Sequence, residues 1–149
     1  DKKKKVFIEI KCGVAIIPKM MKAIKDSGLK DEQIVIISFN QEVILQFKKK
    51  APQYKYSWLC AVRRSLKGRF APSLKEVLAT LKKIGSDGFS SNANGSNGAF
   101  IRNIIKNGYE YHVWTVDNVK TALHFKKMGA QSITTNLPGI IKKALVAKK

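Results

Sequence analysis

An acid and an amine stand two residues apart in the first strand-like segment, residues 6–11 (VFIEIK). Successive side chains alternate between the two faces of a strand, so Glu9 and Lys11 share one face while Ile8 and Ile10 share the other. A carboxylate is the ligand type that Mg²⁺ and Ca²⁺ prefer, and a lysine ammonium binds a phosphate oxygen as a point charge. Charges on an inward face are costly unless they are paired or bind an ion, so both an ion-binding site and a simple salt bridge are open interpretations.

One carboxylate does not complete a divalent-metal site. Other acidic residues are predicted at helix starts, at helix ends or in loops: Asp26, Asp31, Glu32, Glu42, Glu76, Glu110 and Asp117. We therefore expect the remaining metal ligands to lie outside this chain.

Acid–base catalysis near neutral pH usually needs a histidine, and the chain has two. His112 is predicted near the start of a strand and His124 on an amphipathic helix, and we interpret both as structural. No catalytic residue is therefore expected in this chain.

Two polar segments accompany these residues. Residues 62–72 hold Arg63, Arg64 and Arg69, which can attract an anionic substrate or headgroup, although a solvated loop is the simpler interpretation. Residues 87–98 (DGFSSNANGSNG) are rich in Gly, Ser and Asn and are a candidate mobile lid. This second segment lacks the glycine and lysine spacing of a nucleotide-binding motif, so no nucleotide site is predicted.

Strand-like segments alternate with helical patterns along the whole sequence. The predicted strands are residues 6–11, 34–39, 54–61, 87–91, 109–116 and 131–135. The helices that follow them are residues 18–27, 41–50, 73–84, 99–107, 118–128 and 138–147. Ser73 and Glu76 predict a capping box at the start of the third helix. Glycines are predicted to end four of the helices: Gly28, Gly85, Gly108 and Gly129.

Six successive βα units predict a parallel sheet with right-handed crossovers. The strands of a doubly wound sheet are almost uniformly apolar, whereas the charged face of residues 6–11 favours a barrel with a polar mouth. A (β/α)8 barrel needs eight units and usually about 200 to 250 residues. The prediction is therefore an α/β protein, a TIM (β/α)8 barrel of which residues 1–149 supply six consecutive βα units as a single domain. The two other units are expected on the N-terminal side.

The formal net charge is +19, with 25 lysines and 4 arginines against 10 acidic residues. Clustered basic residues would favour nucleic acid, but most lysines fall singly or in pairs on predicted helix exteriors, without interleaved aromatic residues. No nucleic-acid partner is expected, and a basic α/β module that binds nucleic acid or anionic lipid is kept as the alternative function.

No apolar run has the length of a transmembrane segment. Any signal segment would lie upstream, so the chain does not decide between a cytoplasmic and an exported protein. Cys12 and Cys60 lack the spacing of a metal site or a disulfide framework and are interpreted as buried small hydrophobic residues.

Six segments, one at each predicted strand, form a further pattern: FIEIK, VIISFN, YSWL, DGFSSN, YEYHVWTVD and ITTNLPG. In this order they resemble the C-terminal part of the glycerophosphodiester phosphodiesterase family, over essentially all 149 residues. The resemblance implies a (β/α)8 barrel that hydrolyses glycerophosphodiesters to glycerol 3-phosphate and an alcohol, with a divalent metal, Mg²⁺ or Ca²⁺, at its mouth.

Four residues match the family's site by position. The resemblance implies that Glu9 is a metal ligand and that Lys11 binds the substrate phosphate. It also implies that Phe39 and Trp114 bind substrate, as aromatic walls beside the glycerol carbons.

The departures from the family pattern concern the catalytic groups. The family's His-Arg-Gly turn, Glu-x-Asp metal pair and second catalytic histidine belong to the first two strands, and none is present here. Asn136 stands where an aspartate is common, so a charged role is expected to be lost there, and Asp117 stands where an asparagine is common. The fragment alone is therefore expected to be inactive, with its histidines in the missing N-terminal βα units; a catalytically inactive barrel scaffold is a further alternative.

Overall fold

The structure is a computed structural model and describes residues 4–147. The strands are β1 (Val6–Glu9), β2 (Ile34–Ser38), β3 (Lys55–Cys60), β4 (Arg63–Arg64), β5 (Phe70–Ala71), β6 (Gly88–Asn92), β7 (Glu110–Trp114) and β8 (Ser132–Ile133). The helices are α1 (Ile17–Asp26), α2 (Gln41–Lys50), α3 (Leu74–Ile84), α4 (Gly98–Lys106), α5 (Val119–Lys127) and α6 (Pro138–Ala147). Two short 3-10 helices, Val14–Ile16 and Asp31–Gln33, precede α1 and β2.

The predicted succession of six βα units is confirmed. Each predicted helix begins and ends within one residue of the observed one, and strand ends differ by at most two residues. The segment 62–72, predicted as a loop, instead contains the antiparallel hairpin of β4 and β5. Its strands have two residues each, too few to produce a recognisable alternation in the sequence.

Asparagine side chains cap the starts of three helices, a local signal that was not used to predict them. In each case the side-chain carbonyl accepts a hydrogen bond from a backbone N–H that the first helical turn leaves unsatisfied. The pairs are Asn40 with Glu42 N at 2.9 Å, Asn97 with Phe100 N at 2.9 Å and Asn118 with Thr121 N at 3.0 Å.

The capping box predicted before α3 is also present. The backbone N–H and the hydroxyl of Ser73 each donate to the Glu76 carboxylate at 2.7 Å, and the Glu76 N–H donates back to Ser73 Oγ at 3.3 Å. These hydrogen bonds lower the pKa of Glu76. All four glycines predicted to end helices, Gly28, Gly85, Gly108 and Gly129, have positive φ angles of 68°, 66°, 87° and 95°, which glycine adopts without a steric penalty.

The chain forms two compact units. The first runs to Leu59 and includes Thr80–Gly88, and the second comprises Cys60–Ala79 and the chain from Phe89 onward. No helix among residues 4–147 has the length and apolar character needed to cross a membrane.

The first unit is built on β1, β2 and β3, which are parallel and lie in that order. Tyr56 of β3 packs against Phe47 of α2 with ring centroids 5.8 Å apart, and both side chains are fully buried. The Tyr56 hydroxyl donates to the carbonyls of Ala51 at 2.8 Å and Phe47 at 3.2 Å. Burial raises the pKa of Tyr56, so this hydroxyl remains a donor well above neutral pH.

In the second unit β6, β7 and β8 follow one another, and β7 and β8 are parallel. Aromatic rings of Phe70, Phe100, Phe89 and Tyr111 form a continuous row, with successive centroids 5.0, 6.2 and 6.4 Å apart. The hydroxyl of buried Tyr111 lies 2.7 Å from Ser91 Oγ and 2.6 Å from Ser96 Oγ. The row connects the β4–β5 hairpin to the interior of this unit.

Asp87 joins α2 to β3 inside the first unit. Its carboxylate lies 2.9 Å from Lys48 Nζ and accepts a hydrogen bond from the Tyr56 backbone N–H at 2.9 Å. Its own N–H donates to the Tyr56 carbonyl at 2.9 Å. Both charged side chains are about three-quarters covered, so solvent screens this pair less than an exposed one.

We predict that Asp87→Ala lowers the free energy of unfolding by about 1–3 kcal/mol, because it leaves a half-buried ammonium and a backbone N–H without their acceptor. Urea denaturation monitored by tryptophan fluorescence measures this change. The matched control is Asp26→Ala, which removes the exposed i,i+4 ion pair with Lys22 and should cost less than about 0.5 kcal/mol. Equal losses in the two variants would contradict the role assigned to Asp87.

Candidate functional site

The carboxyl ends of β1 and β2 are tied together by two hydrogen bonds around Ile10. The Ile10 N–H donates to the Ile37 carbonyl at 2.8 Å, and the buried Ser38 hydroxyl donates to the Ile10 carbonyl at 2.7 Å. Ile10 itself is buried. The two charged residues on either side of it, Glu9 and Lys11, are therefore held at the end of β1 beside the end of β2.

The strand register places Glu9 on the face that points away from α2. Residues paired directly across parallel strands point to the same side, so Glu9, Ile37 and Ser57 share one face. Tyr56, one residue before Ser57, points to the opposite face and packs on Phe47 of α2. The carboxylate thus lies on the side of the first unit that α2 does not cover.

Glu9 and Lys11 form an ion pair with 3.7 Å between Oε2 and Nζ. Their side chains are 34% and 79% exposed. Glu9 was expected to be buried, and this expectation is wrong. Among the described residues of the first unit, β1 has a hydrogen-bonded neighbour on one side only. An exposed pair of this kind contributes about 0–1 kcal/mol, so stability does not account for the two charges.

Phe39 directly follows β2, and 52% of it is exposed. Its carbonyl accepts a hydrogen bond from the Trp58 indole N–H at 3.4 Å, and Trp58 is buried on β3. Trp58 and Ser38 were not among the site residues predicted from the sequence. The signal that was available is their position at or near strand ends, where parallel sheets carry their sites.

Trp114, the fourth predicted site residue, belongs to the second unit. It is the last residue of β7 and is half-buried, and its carbonyl accepts a hydrogen bond from the Ala93 N–H at 2.8 Å. Ala93 directly follows β6, so this bond joins the carboxyl ends of two strands. The structure therefore groups Glu9, Lys11 and Phe39 in one unit and places Trp114 at an equivalent strand end in the other.

The Asp117 carboxylate, after β7, accepts three hydrogen bonds, two from Asn136 and one from Thr135, both after β8. The Asp117 carboxylate accepts from the Asn136 side-chain amide at 2.9 Å, from the Asn136 backbone N–H at 2.7 Å and from the Thr135 hydroxyl at 2.9 Å. Hydrogen bonds from Asn136, and then from Thr135, lower the pKa of Asp117. Asn136 itself carries no charge, and the negative charge of this pair is on the Asp117 carboxylate.

Both histidines have defined side-chain contacts. His112 is at the centre of β7 rather than near its start, with Nδ1 2.8 Å from Ser132 Oγ and Nε2 3.5 Å from the Glu110 carboxylate. His124 lies on α5, and its ring meets that of Phe125 edge-on at 5.8 Å.

The lid predicted for residues 87–98 is wrong for its first half, because Gly88–Asn92 is β6. The remainder is held by hydrogen bonds to Trp114 and Tyr111. The strand predicted for residues 87–91 is the interpretation that the structure confirms for this half, and the Ser91 hydroxyl there lies 2.7 Å from the Tyr111 hydroxyl. Cys12 is exposed and Cys60 half-buried, so the expectation of two buried thiols is wrong as well.

No cluster of three or more His, Cys, Asp or Glu side chains that could hold a metal ion occurs within residues 4–147. The Glu9 carboxylate at the end of β1 is a suitable ligand type, but a divalent-metal site needs several oxygen ligands. Fitting a metal here requires ligands from beyond the described residues, so no chemical step through a metal is assigned to the chain.

The sequence was compared with known proteins. The model of the glycerophosphoryl diester phosphodiesterase family matches residues 2–140. A comparison with curated proteins gives no significant match.

Similar folds occur among solved structures. A glycerophosphodiester phosphodiesterase from Parabacteroides distasonis superposes with a TM-score of 0.77 at 22% identity, over 97% of this chain and 58% of its own length. An Oleispira antarctica phosphodiesterase in complex with sn-glycerol-3-phosphate gives 0.79 at 16% identity, over 95% and 55%. A glycerophosphodiester phosphodiesterase from Thermotoga maritima gives 0.69 at 16% identity, over 96% and 58%.

These likenesses confirm the predicted fold class, an α/β fold of the TIM-barrel type. The chain spans between 55% and 58% of the length of these three structures.

We predict that Asn136→Ala raises the pKa of Asp117 toward the ordinary aspartate value of about 3.9, because the side-chain amide that favours the carboxylate is gone. A lowered aspartate pKa contributes stability above about pH 4 that is lost as the pH falls through the folded pKa. The carboxyl ¹³C shift of Asp117 followed against pH measures the change. Thr135→Val removes the hydrogen bond that lowers the pKa of Asp117 least and should raise it less, and an unchanged pKa in Asn136→Ala would contradict the assignment.

Proposed function

The chain belongs to the glycerophosphoryl diester phosphodiesterase family, and we propose that residues 1–149 are the C-terminal portion of such an enzyme. The enzyme would be a phosphoric diester hydrolase that converts glycerophosphodiesters to glycerol 3-phosphate and an alcohol. The observation that carries the proposal is the position of Glu9 and Lys11, an acid and an amine at the end of β1 on the face away from α2. Their ion pair is too exposed to be explained by stability.

Lys11 is the proposed phosphate-binding residue. Its ammonium is 79% exposed and is held next to β2 by the hydrogen bonds of Ile10, so it can approach a phosphoryl oxygen at little cost. A positive charge there opposes the negative charge that grows on the phosphoryl oxygens during hydrolysis.

Phe39 and Trp114 are the proposed contacts for the carbon skeleton of the substrate. Half of Phe39 is exposed at the end of β2, although an aromatic side chain in this position gains free energy from being covered. Trp114 ends β7 in the second unit and is half-buried.

Glu9 is the proposed metal ligand. Enzymes of this family generally depend on a divalent metal, and a carboxylate suits either Mg²⁺ or Ca²⁺. The other ligands, and the histidines for acid–base catalysis, would come from two βα units that precede β1. The metal would stabilise charge on the phosphoryl group when it is bound.

The exposed edge of β1 supports the proposal that two further βα units precede β1. Val6 and Phe7 are each 40% exposed on the edge strand of the first unit. An exposed apolar edge strand is an aggregation hazard that proteins normally cover. The matched structures are longer than this chain by more than the length of two such units.

We expect no glycerol 3-phosphate release from glycerophosphocholine by the 149 residues alone. The same chain preceded by the two βα units of its own coding sequence should show turnover that requires added Mg²⁺ or Ca²⁺. An enzyme-coupled assay of glycerol 3-phosphate measures both. Robust turnover by the 149 residues alone would overturn the assignment of the catalytic groups to the preceding units.

In the extended chain, Glu9→Gln should lower kcat/KM by about 10²-fold or more and weaken metal binding, because it removes a ligand charge but keeps the shape. Lys11→Met should lower kcat/KM by about 10²–10³-fold at unchanged metal affinity. Glu32→Gln, an exposed acid outside the strand ends, is the matched control for Glu9. Substrate binding without any turnover in the extended chain would identify an inactive scaffold instead.

A further inference from the structure

The β4–β5 hairpin collects positive charge and one apolar side chain at its tip. Three of the four arginines of the chain lie in it, together with Lys67, and residues 61–75 contain no acid. All four cationic side chains are exposed, and within residues 4–147 none of them is paired with a carboxylate. The hairpin therefore carries a concentrated, unneutralised positive charge.

Leu66 stands at the turn between the two strands and is completely exposed, with a relative accessibility of 109%. No other large apolar residue of the described chain comes near this value; the next, Val146, is 61% exposed. A leucine in this position gains no free energy from the fold. It is available to enter an apolar medium outside the protein.

The turn that presents Leu66 has a defined conformation. The Ser65 N–H donates to the Arg69 carbonyl at 2.9 Å, and the Gly68 N–H donates to the Ser65 carbonyl at 2.9 Å. Gly68 has a φ of 76°, a backbone conformation that most other residues avoid. The Arg64 guanidinium lies 5.8 Å from the centroid of the Phe70 ring, which keeps it on the hairpin.

The base of the hairpin is fixed to the second unit. The Val62 N–H donates to the Asn92 side-chain carbonyl at 2.7 Å, at the carboxyl end of β6. Gly95 lies so close to the Val62 carbonyl that a Cβ there would be 2.0 Å from its oxygen. Phe70 stacks on buried Phe100 at 5.0 Å. The hairpin is thus a supported projection at the same strand ends that carry Trp114.

We propose that the β4–β5 hairpin docks this protein onto the surface of an anionic phospholipid bilayer. Leu66 enters the boundary between headgroups and acyl chains, while Arg63, Arg64, Lys67 and Arg69 contact lipid phosphates. Arginine suits this role because its planar guanidinium binds phosphate oxygens in pairs. The inference goes beyond the proposed hydrolase function and does not depend on it.

The combination of charge with an exposed leucine favours a bilayer over nucleic acid. Single-stranded nucleic acid binds to aromatic stacking platforms, whereas the apolar group at this tip is aliphatic and the one hairpin aromatic, Phe70, is stacked inward. Peripheral membrane binding needs both electrostatic attraction to anionic lipid and buried apolar area. Docking would bring the strand-end face of the second unit toward the lipid surface.

Vesicle co-sedimentation tests the proposal, with phosphatidylcholine vesicles that contain or lack phosphatidylserine. We expect binding only with phosphatidylserine and a steep loss of binding as ionic strength rises. Arg63→Gln with Lys67→Gln should weaken binding about 25-fold, at about fivefold for each cation near an anionic surface. Leu66→Ser should weaken it about tenfold. All three residues are exposed, so circular dichroism and the urea midpoint should not change.

Two controls make the outcomes decisive. Lys49→Gln with Lys50→Gln removes the same charge from exposed positions on α2 and should change vesicle binding less than about threefold. Binding to a single-stranded oligonucleotide should be insensitive to Leu66→Ser. Equal losses from the hairpin and the α2 variants would overturn the proposal. The proposal would also be overturned if Leu66→Ser left vesicle binding unchanged and the hairpin charge variant weakened oligonucleotide binding. That result would identify the hairpin as a polyanion-binding loop.

Discussion

Residues at the carboxyl ends of neighbouring parallel strands keep a fixed arrangement only where hydrogen bonds connect the strand ends. In the first unit, the Ser38 hydroxyl connects the ends of β1 and β2. By donating to the Ile10 carbonyl at 2.7 Å it replaces a strand hydrogen bond just beyond the end of β1. The residues before and after Ile10 are then fixed in direction, with Glu9 on the face away from α2. Every functional proposal for this unit depends on that short connection.

In the second unit, hydrogen bonds between other groups also connect neighbouring strand ends. Asn92 holds the base of the hairpin, Ala93 bonds to Trp114 at the end of β7, and Asp117 bonds to Asn136 after β8. None of these partners lies in a long apolar pattern. Short polar side chains at or just after strand ends, together with one backbone hydrogen bond, do the positioning, while the apolar periodicity determines only where the strands and helices are.

The difference between apolar periodicity and polar contacts at strand ends explains what could be predicted from the sequence. Helix boundaries followed from the apolar periodicity, the capping box of Ser73 and Glu76 and the terminal glycines, because those signals act within a few residues. The burial of Glu9 was overestimated since it depends on which strands neighbour β1, and no local pattern encodes that. The hairpin and the Asp117–Asn136 pair escaped notice for related reasons: the first has strands of two residues, and the second joins side chains 19 positions apart.

The central claim is that Glu9 and Lys11 are an ion-binding pair held open at a strand end. The most direct measurement is a crystal structure of the chain with its preceding βα units, grown with Ca²⁺ and glycerol 3-phosphate. We expect a Glu9 oxygen at about 2.3–2.6 Å from the cation and Lys11 Nζ within hydrogen-bonding distance of the phosphate. A cation bound elsewhere, with Glu9 and Lys11 still paired only to each other, would contradict it.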